Sequence, residues 1–348
     1  MRSTKGGGDV VGNAERVRGS MFGLAYGDAL GAPTEFLSYA QIVRRYDLPG
    51  PMDLEGTPAL VTDDTQMGLA VAHALVNARA GGTHLPVDRF ERLVVQRFLA
   101  WWDSPDNTRA PGHTCMSACA ELAAGHAWID ATRRGSKGCG ANMRVTPLGL
   151  ADGLDEATRC GAAQLQAAVT HGHPTALAAS DLTATAVHAL RAGVAIAELP
   201  AYLRAHAQAQ RTVYRGDWLG DDLWRGPFAD SPEGFIARGW DECLGVLERL
   251  DRAVLEGDRR SDPCQVTGAG WIAEESLATA VLCVVLYADD PRSALARAAA
   301  TSGDSDSIAA LAGAMIGAAH GMDGWPAEWL DRIEYRTDLD ALSAALSG

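Results

Sequence analysis

No apolar stretch of this chain reaches the roughly 18 residues a membrane span needs without meeting a charge or a turn signal. Its seven cysteines, at 115, 119, 139, 160, 243, 264 and 283, form no Cys-x-x-Cys pair. An odd, scattered set of this kind points to reduced thiols and a cytoplasmic location. Cys115 and Cys119 are four apart, a spacing that suits one helix face and ordinary core packing. An excess of positive charge is also missing: 30 Lys and Arg stand against 44 Asp and Glu, for a net charge of −14. That balance excludes broad, sequence-independent nucleic-acid binding, which needs a basic face. It leaves room for a small local pocket that takes a diphosphate. No convincing strand alternation, no Rossmann-type glycine pattern after a strand and no 30–45-residue repeat occurs. Met1–Asn13 is glycine-rich and lacks the apolar core of a signal peptide. We expect a disordered lead-in there, with one domain over 14–348.

What remains is helical. Hydrophobic residues make up 47% of the chain, enough for a substantial core. Apolar residues recur at three- and four-residue steps. The pattern predicts helices over Glu15–Ala29 (closing near Gly31), Asp63–Asn77, Pro86–Trp102, Ser117–Trp128, Glu156–Thr170 and Thr175–Ala192. Further helices are expected over Ile196–Ala209, Pro232–Leu255, Glu274–Tyr287, Pro291–Thr301, Ser305–His320 and Pro326–Ile333. The fold class is therefore all-α, a compact single-domain bundle of many helices. The long connections Ser38–Leu60, Asp103–Cys115, Ala131–Asn142 and Thr212–Ser231 are expected to wall a cleft, since loops of this length are often functional.

Two acidic clusters lie far apart in the chain, Thr62-Asp63-Asp64-Thr65 and Gly303-Asp304-Ser305-Asp306-Ser307. Each precedes an apolar, helix-forming run. Acidic and hydroxyl residues at a helix start are stabilised by the free N–H groups and the macrodipole, and Thr62 is a good N-cap. Alternatively, the two clusters are halves of one cation site. Carboxylates and hydroxyls are hard ligands that suit Mg²⁺, Mn²⁺ or Ca²⁺ better than Zn²⁺. Asp63 and Asp64 point about 100° apart on a helix and can serve two ions. Asp304 and Asp306 can converge from a tight, glycine-preceded turn. Ions about 3.5–4 Å apart can share a bridging carboxylate and hold a water.

These clusters belong to a series of motifs. Gly19-Ser-Met-Phe-Gly-Leu-Ala-Tyr-Gly-Asp-Ala-Leu-Gly31 leads to Glu35, then to the first acidic cluster, and then to Gly140-Ala-Asn-Met-Arg-Val-Thr-Pro-Leu-Gly149. Thr170-His-Gly-His-Pro174 and the second acidic cluster follow. In this order the series resembles the ADP-ribosylglycohydrolase family. The resemblance implies the same all-α fold, with a dinuclear metal site in the cleft. It implies two Mg²⁺ or Mn²⁺ ions held by Thr62, Asp63, Asp64, Asp304, Asp306 and Ser307. Ser305 and Ser307 depart from the usual threonine, keeping the hydroxyl and losing the methyl that stiffens the rotamer.

Alone, Glu35 reads as a solvated loop residue; the resemblance places it near the metals, as a base for the attacking water or a gating ligand. Asp28 supports this loop, or caps it. The resemblance implies that Gly140, Ala141, Asn142 and Met143 cradle ADP-ribose, glycines there letting backbone N–H groups approach phosphate oxygens. The family's usual Gly-Asn-Gly reads Gly138-Cys139-Gly140 here. Arg144 is expected to anchor the loop through an internal ion pair. His171 is expected to donate to phosphate or ribose, and Pro174 to start the next helix. A zinc site at His171 and His173 has no obvious further soft ligands. Asp103 is a candidate to meet a guanidinium leaving group. Tyr214, Trp218 and Trp271 are candidates to stack on adenine, although a tryptophan placed like Trp271 more often belongs to the core.

The resemblance implies a metal-dependent hydrolase that cleaves the glycosidic bond at the anomeric carbon of ADP-ribose. Asp63, Asp304 and Glu35 are the catalytic candidates. The partner would be a mono-ADP-ribosylated acceptor, arginine by default. Two other readings stand beside it. One is a two-metal phosphohydrolase, which a basic residue near the metals would favour. The other is a non-catalytic ADP-ribose reader, which lost metal ligands would favour.

Overall fold

The computed structural model describes residues 11–80, 82–226 and 229–348. In chain order the helices are α1 (Asn13–Gly31), α2 (Tyr39–Tyr46), α3 (Asp63–Arg79), α4 (Val87–Trp102), α5 (His113–Ala123) and α6 (Trp128–Ala131). There follow α7 (Thr146–Leu150), α8 (Glu156–Ala168), α9 (Pro174–Arg191), α10 (Leu199–Gln210), α11 (Gly216–Leu219) and α12 (Pro232–Glu256). The last are α13 (Cys264–Thr267), α14 (Ala273–Leu286), α15 (Pro291–Ala298), α16 (Ser305–His320) and α17 (Arg336–Leu346). Among the described residues β pairing is confined to isolated bridges, such as Ala59 with Ile333. The all-α expectation is met.

Local chemistry sets many of the boundaries. The side chains of Asp155, Ser231 and Asp290 accept from the backbone N–H of Thr158 (2.8 Å), Gly234 (3.0 Å) and Ser293 (3.1 Å), capping α8, α12 and α15. Pro174, Pro232 and Pro291 occupy first-turn positions, where a missing N–H costs nothing. Gly257 ends α12 with φ 66°, the left-handed conformation that glycine adopts without strain.

Around the centre, α9 is buried from Pro174 to Leu190 except at His188 and packs against α7, α8, α10, α12, α14 and α16. Its buried Asp181 accepts from His206 Nε2 of α10 (2.9 Å) and Gln164 Nε2 of α8 (2.8 Å). One carboxylate thus ties three helices together.

The contact that builds the site is α1 against α16. Gly19, Gly23, Gly27 and Gly31 recur every four residues and so share one face of α1. That face meets Gly313 and Gly317 of α16, and Gly321 just beyond it, backbone against backbone. A Cβ on Gly27 would fall on the Ala309 carbonyl oxygen; one on Gly31 would lie 2.5 Å from Asp306 Cα. Glycine in a helix interior costs about 1 kcal/mol relative to alanine, so the stripe trades local helix stability for close approach. It brings the end of α1 onto the start of α16.

Several boundaries differ from expectation. Asn13, the last residue of the expected lead-in, already opens α1, and Met1–Val10 lie outside the described residues. The helix expected over Ser117–Trp128 runs over His113–Ala123; its N-cap, Gly112, has no side chain to signal the start. Pro326–Ile333 forms only a 3₁₀ turn at Ala327–Trp329. Ser38–Leu60, read as a loop, contains α2, whose Gln41 Oε1 accepts from the Ser38 N–H at 2.8 Å. α17 was not foreseen.

Candidate active site

A cleft of about 340 Å³ opens where the starts of α3 and α16 meet the segment after α1. Thr34 fixes that segment, its Oγ1 lying 2.6 Å from the Ala299 carbonyl oxygen and 3.0 Å from Ser305 Oγ. Next in the chain, Glu35 reaches the start of α16: one carboxylate oxygen each from Glu35, Asp304 and Asp306 lie within 4.8 Å of one another. Phe36 then takes φ 64°, a left-handed conformation uncommon for a bulky residue.

Asp63 and Asp64 arrive from the first turn of α3. Asp63 Oδ2 accepts from the Gly112 N–H at 3.1 Å. Asp64 Oδ1 accepts from Ser307 Oγ at 3.2 Å, which joins the two acidic clusters directly. Asp64 Oδ2 is buried with no hydrogen-bond partner among the described residues. Behind them, the fully buried Asp28 accepts from the N–H and hydroxyl of Thr62 and from the N–H and hydroxyl of Thr65, at 2.5–3.0 Å. Asp28 therefore holds the start of α3. The Thr62 hydroxyl, spent on Asp28, is not among the groups that line the cleft.

The crowding shows in the acidities. Burial is the main cause throughout. It pushes Asp28 up to about 6, against the hydrogen bonds from Thr65 and Thr62. Asp63 is pushed up to about 7. Glu35 reaches about 8, with Asp304 and Asp63 adding repulsion. Asp64 and Asp306 are raised well above the usual carboxylate range by burial and by the neighbouring aspartates. The described lining contains neither lysine nor arginine. Buried carboxylates need a counter-charge or a proton. An all-oxygen donor set with one orphaned buried oxygen therefore fits hard divalent cations.

The opposite wall comes from 110–115 and 138–140, parts of two of the expected loops, and from Met143. None of the described residues of Ser38–Leu60 or Thr212–Ser231 lines the cleft. Gly140 and Met143 do line it. Ala141 and Asn142 do not: both are fully buried, and their N–H groups bond to the Gly138 and Cys139 carbonyls. The Asn142 side chain donates to the Ala273 carbonyl at 3.0 Å. Asp103 sits at the C-cap of α4, outside the lining. Of the three aromatic candidates only Trp271 reaches the cleft. It is exposed rather than core, and its ring stacks with Phe36 at 5.9 Å. Trp218 packs on Phe90 and Tyr214 on Phe235.

Arg144 corrects another expectation. It is completely buried and has no ion pair among the described residues; its guanidinium is held by Gln166, Thr170 and the Phe98 ring. His171 lines the cleft, whereas His173 caps α9, accepting from the Thr175 N–H at 3.2 Å. Two cleft residues carry no role in the sequence motifs: Cys139, whose Sγ lies 2.6 Å from Asp304 Oδ2, and Phe36. The cysteine's departure from the usual asparagine was its one signal.

The sequence profile of the ADP-ribosylglycohydrolase family matches residues 11–348. The ADP-ribosyl-[dinitrogen reductase] glycohydrolase of Rhodospirillum rubrum is 27% identical, over 95% of this chain and 96% of its own. Human ADP-ribosylhydrolase ARH3 is 27% identical, over 95% of this chain and 92% of its own. A solved structure described as an ADP-ribosylglycohydrolase-related protein complex superposes with TM-score 0.56 and 25% identity, covering 96% of this chain and 98% of that one. The acidic clusters that Ser307 and Asp64 join thus sit in a chain that belongs to the ADP-ribosylglycohydrolase family, hydrolases acting on glycosyl bonds.

Proposed function

We propose that this enzyme removes ADP-ribose from a mono-ADP-ribosylated acceptor by hydrolysing the N- or O-glycosidic bond at the anomeric carbon. The observation that carries the reading is the convergence of Glu35, Asp63, Asp64, Asp304 and Asp306 on one cleft whose described lining has neither lysine nor arginine. A phosphohydrolase would want a cation clamping the reacting phosphate, so that lining favours attack at carbon. The retained carboxylates favour catalysis over a passive reader.

Asp63, Asp64, Asp304, Asp306 and Ser307, with Thr62 beside them, would hold two Mg²⁺ or Mn²⁺ ions. When bound there, such ions supply Lewis-acid activation of a water and anchorage for ribose hydroxyls. Glu35 is the base. With positive charge beside it, its carboxyl gives up the proton it holds in the cation-free cleft, and it can then take one from the attacking water. The remaining carboxylates face the positive charge that develops on the ribose ring as the bond breaks. Seven buried, unpaired cysteines suit a reducing cytoplasm.

The test is release of free ADP-ribose from arginine-, serine- and nucleobase-linked substrates, with Mg²⁺, with Mn²⁺ and after chelation. Release should require the cation and vanish in Asp63→Ala and Asp304→Ala. Release of AMP or phosphate would replace this reading with the phosphohydrolase, and ADP-ribose binding without any release would replace it with the reader.

A further inference from the structure

A chain of hydrogen bonds runs from the core to the cleft through Arg144, Thr170 and His171. Arg144 Nη2 donates to Thr170 Oγ1 at 2.7 Å, and that oxygen lies 2.8 Å from His171 Nδ1. Arg144 and Thr170 are completely buried. A guanidinium only donates, so the Thr170 oxygen is an acceptor on that side. A hydroxyl has one hydrogen, and among the described residues Oγ1 has no partner besides Arg144 and His171 Nδ1. The hydrogen therefore points at Nδ1. The reverse arrangement would leave a buried hydroxyl hydrogen without an acceptor, which native structures avoid.

If Nδ1 accepts, a neutral imidazole carries its own hydrogen on Nε2. The imidazole is neutral: burial and the Arg144 charge hold it well below its usual value. Nε2 faces the space above two glycines. A Cβ on Gly138 or Gly140 would lie 3.5 or 3.4 Å from it, so the missing side chains leave room there for a ligand atom.

We propose that Arg144 and Thr170 are positioning residues that lock His171 in the Nε2–H form, a donor aimed at an acceptor oxygen of the ADP-ribosyl group. The identity of that ligand rests on the function proposed above; the tautomer does not, since it belongs to the ligand-free protein. The lock gives the cleft two chemically distinct ends. Carboxylates at one end accept and hold cations, while His171 at the other end donates. The opposite tautomer would turn a lone pair toward the ligand, repelling phosphate and ribose oxygens and offering a stray nitrogen ligand to the cations.

The experiment uses the full-length protein and two variants. Thr170→Val keeps the shape and loses the hydroxyl, and Thr170→Ser keeps the hydroxyl. Nitrogen-15 NMR of the imidazole, without ligand and near neutral pH, should show Nδ1 bare and Nε2 protonated in the wild type and in Thr170→Ser. Thr170→Val should show mixed forms. Calorimetric titration with ADP-ribose should give about tenfold weaker binding for Thr170→Val, the value of one hydrogen bond to a charged acceptor, and near-normal binding for Thr170→Ser. Substrate turnover should show the same loss in KM rather than in kcat. A wild-type imidazole protonated on Nδ1 or on both nitrogens would overturn the proposal. So would a folded Thr170→Val that binds as tightly as the wild type. The expected tautomer in a wild type that binds no ADP-ribose would uphold the lock and overturn the substrate reading instead.

Discussion

Removing one charge from the cleft should stabilise the cation-free enzyme, and increasingly so as pH rises. Asp63 is the clearest case. Its carboxyl moves from 3.8 to about 7, chiefly through burial, with Asp28 and Asp304 adding to the rise and the Gly112 N–H opposing it. Between these values the folded state keeps a proton that the unfolded state has released, so stability falls as pH rises. The penalty is absent below the unfolded value and complete above the folded one. From pH 5 to pH 8 about two pKa units of it accrue, about 3 kcal/mol at 1.36 kcal/mol per unit. An unfolding entropy of about 2.1 cal/mol/K per residue gives about 0.7 kcal/mol/K for 348 residues. Asp63→Asn keeps the acceptor for Gly112 and loses the charge. In chelator, the melting temperature of this variant minus that of the wild type should therefore grow by about 4 °C between pH 5 and pH 8. Working with the difference cancels the histidines, such as the buried His173 and the half-buried His188, both lowered to about 4 mainly by burial. They stabilise in the opposite direction as pH rises through their usual range. At pH 8 Mn²⁺ should reverse the order, raising the wild type far more than the variant. A gap that stays constant with pH in differential scanning calorimetry would refute the argument. A variant that gains as much from Mn²⁺ as the wild type would do the same.

Three further outcomes follow from the packing. Gly27→Ala places its methyl on the Ala309 carbonyl and should lower stability by about 3 kcal/mol or more. Gly245→Ala, facing open space in α12, should gain up to about 1 kcal/mol; thermal melts of equal size and sign would contradict the close-approach argument. Asp28→Asn leaves at least two of the four donors from Thr62 and Thr65 without a partner, each costing about 1–3 kcal/mol. It should weaken Mn²⁺ binding at least tenfold by calorimetry, and unchanged affinity would remove Asp28 from its supporting role. All seven thiols are buried, and burial raises each of them, Cys115 to about 11 and Cys119 to about 12. A thiol reagent at pH 8 should label less than one cysteine per native chain and seven in guanidinium; fast native labelling would show an access route to the core.

The acidic clusters were legible in the sequence because carboxylates, hydroxyls and helix starts are local features. Chemistry alone left their joining as one of two readings, beside helix capping, since the Ser307–Asp64 hydrogen bond spans 243 positions. Arg144 misled for a physical reason. A buried guanidinium is usually paired with a carboxylate, but here carbonyl, amide and hydroxyl oxygens, two sulfur atoms and an aromatic face share the task. The family resemblance is what gives Ala141 and Asn142 to the ligand, with glycines beside them letting N–H groups approach anions. In this turn the 3₁₀ hydrogen bonds use those groups internally. The helix at His113 begins on a glycine cap with no side-chain signal, so periodicity placed it four residues late.

The glycine stripe explains why the site depends on a contact that carries no chemistry itself. Glu35 follows α1 by four residues, and Asp304 caps α16. Their separation is set by how closely these two helices approach, and Gly31 against Asp306 is the last point of that approach. A side chain at Gly31 must push apart backbone on both sides, because Asp306 Cα and the Ser305 carbonyl would each lie 2.5 Å from its Cβ. Three oxygens within 4.8 Å of one another tolerate little such displacement, since a divalent cation holds its ligands at about 2.0–2.6 Å. On the proposed function, the stripe should therefore act on cation affinity as well as on stability. Substitution at its cleft end, Gly31, should cost more binding than substitution at Gly19, which meets Gly321 at the far end of the same interface.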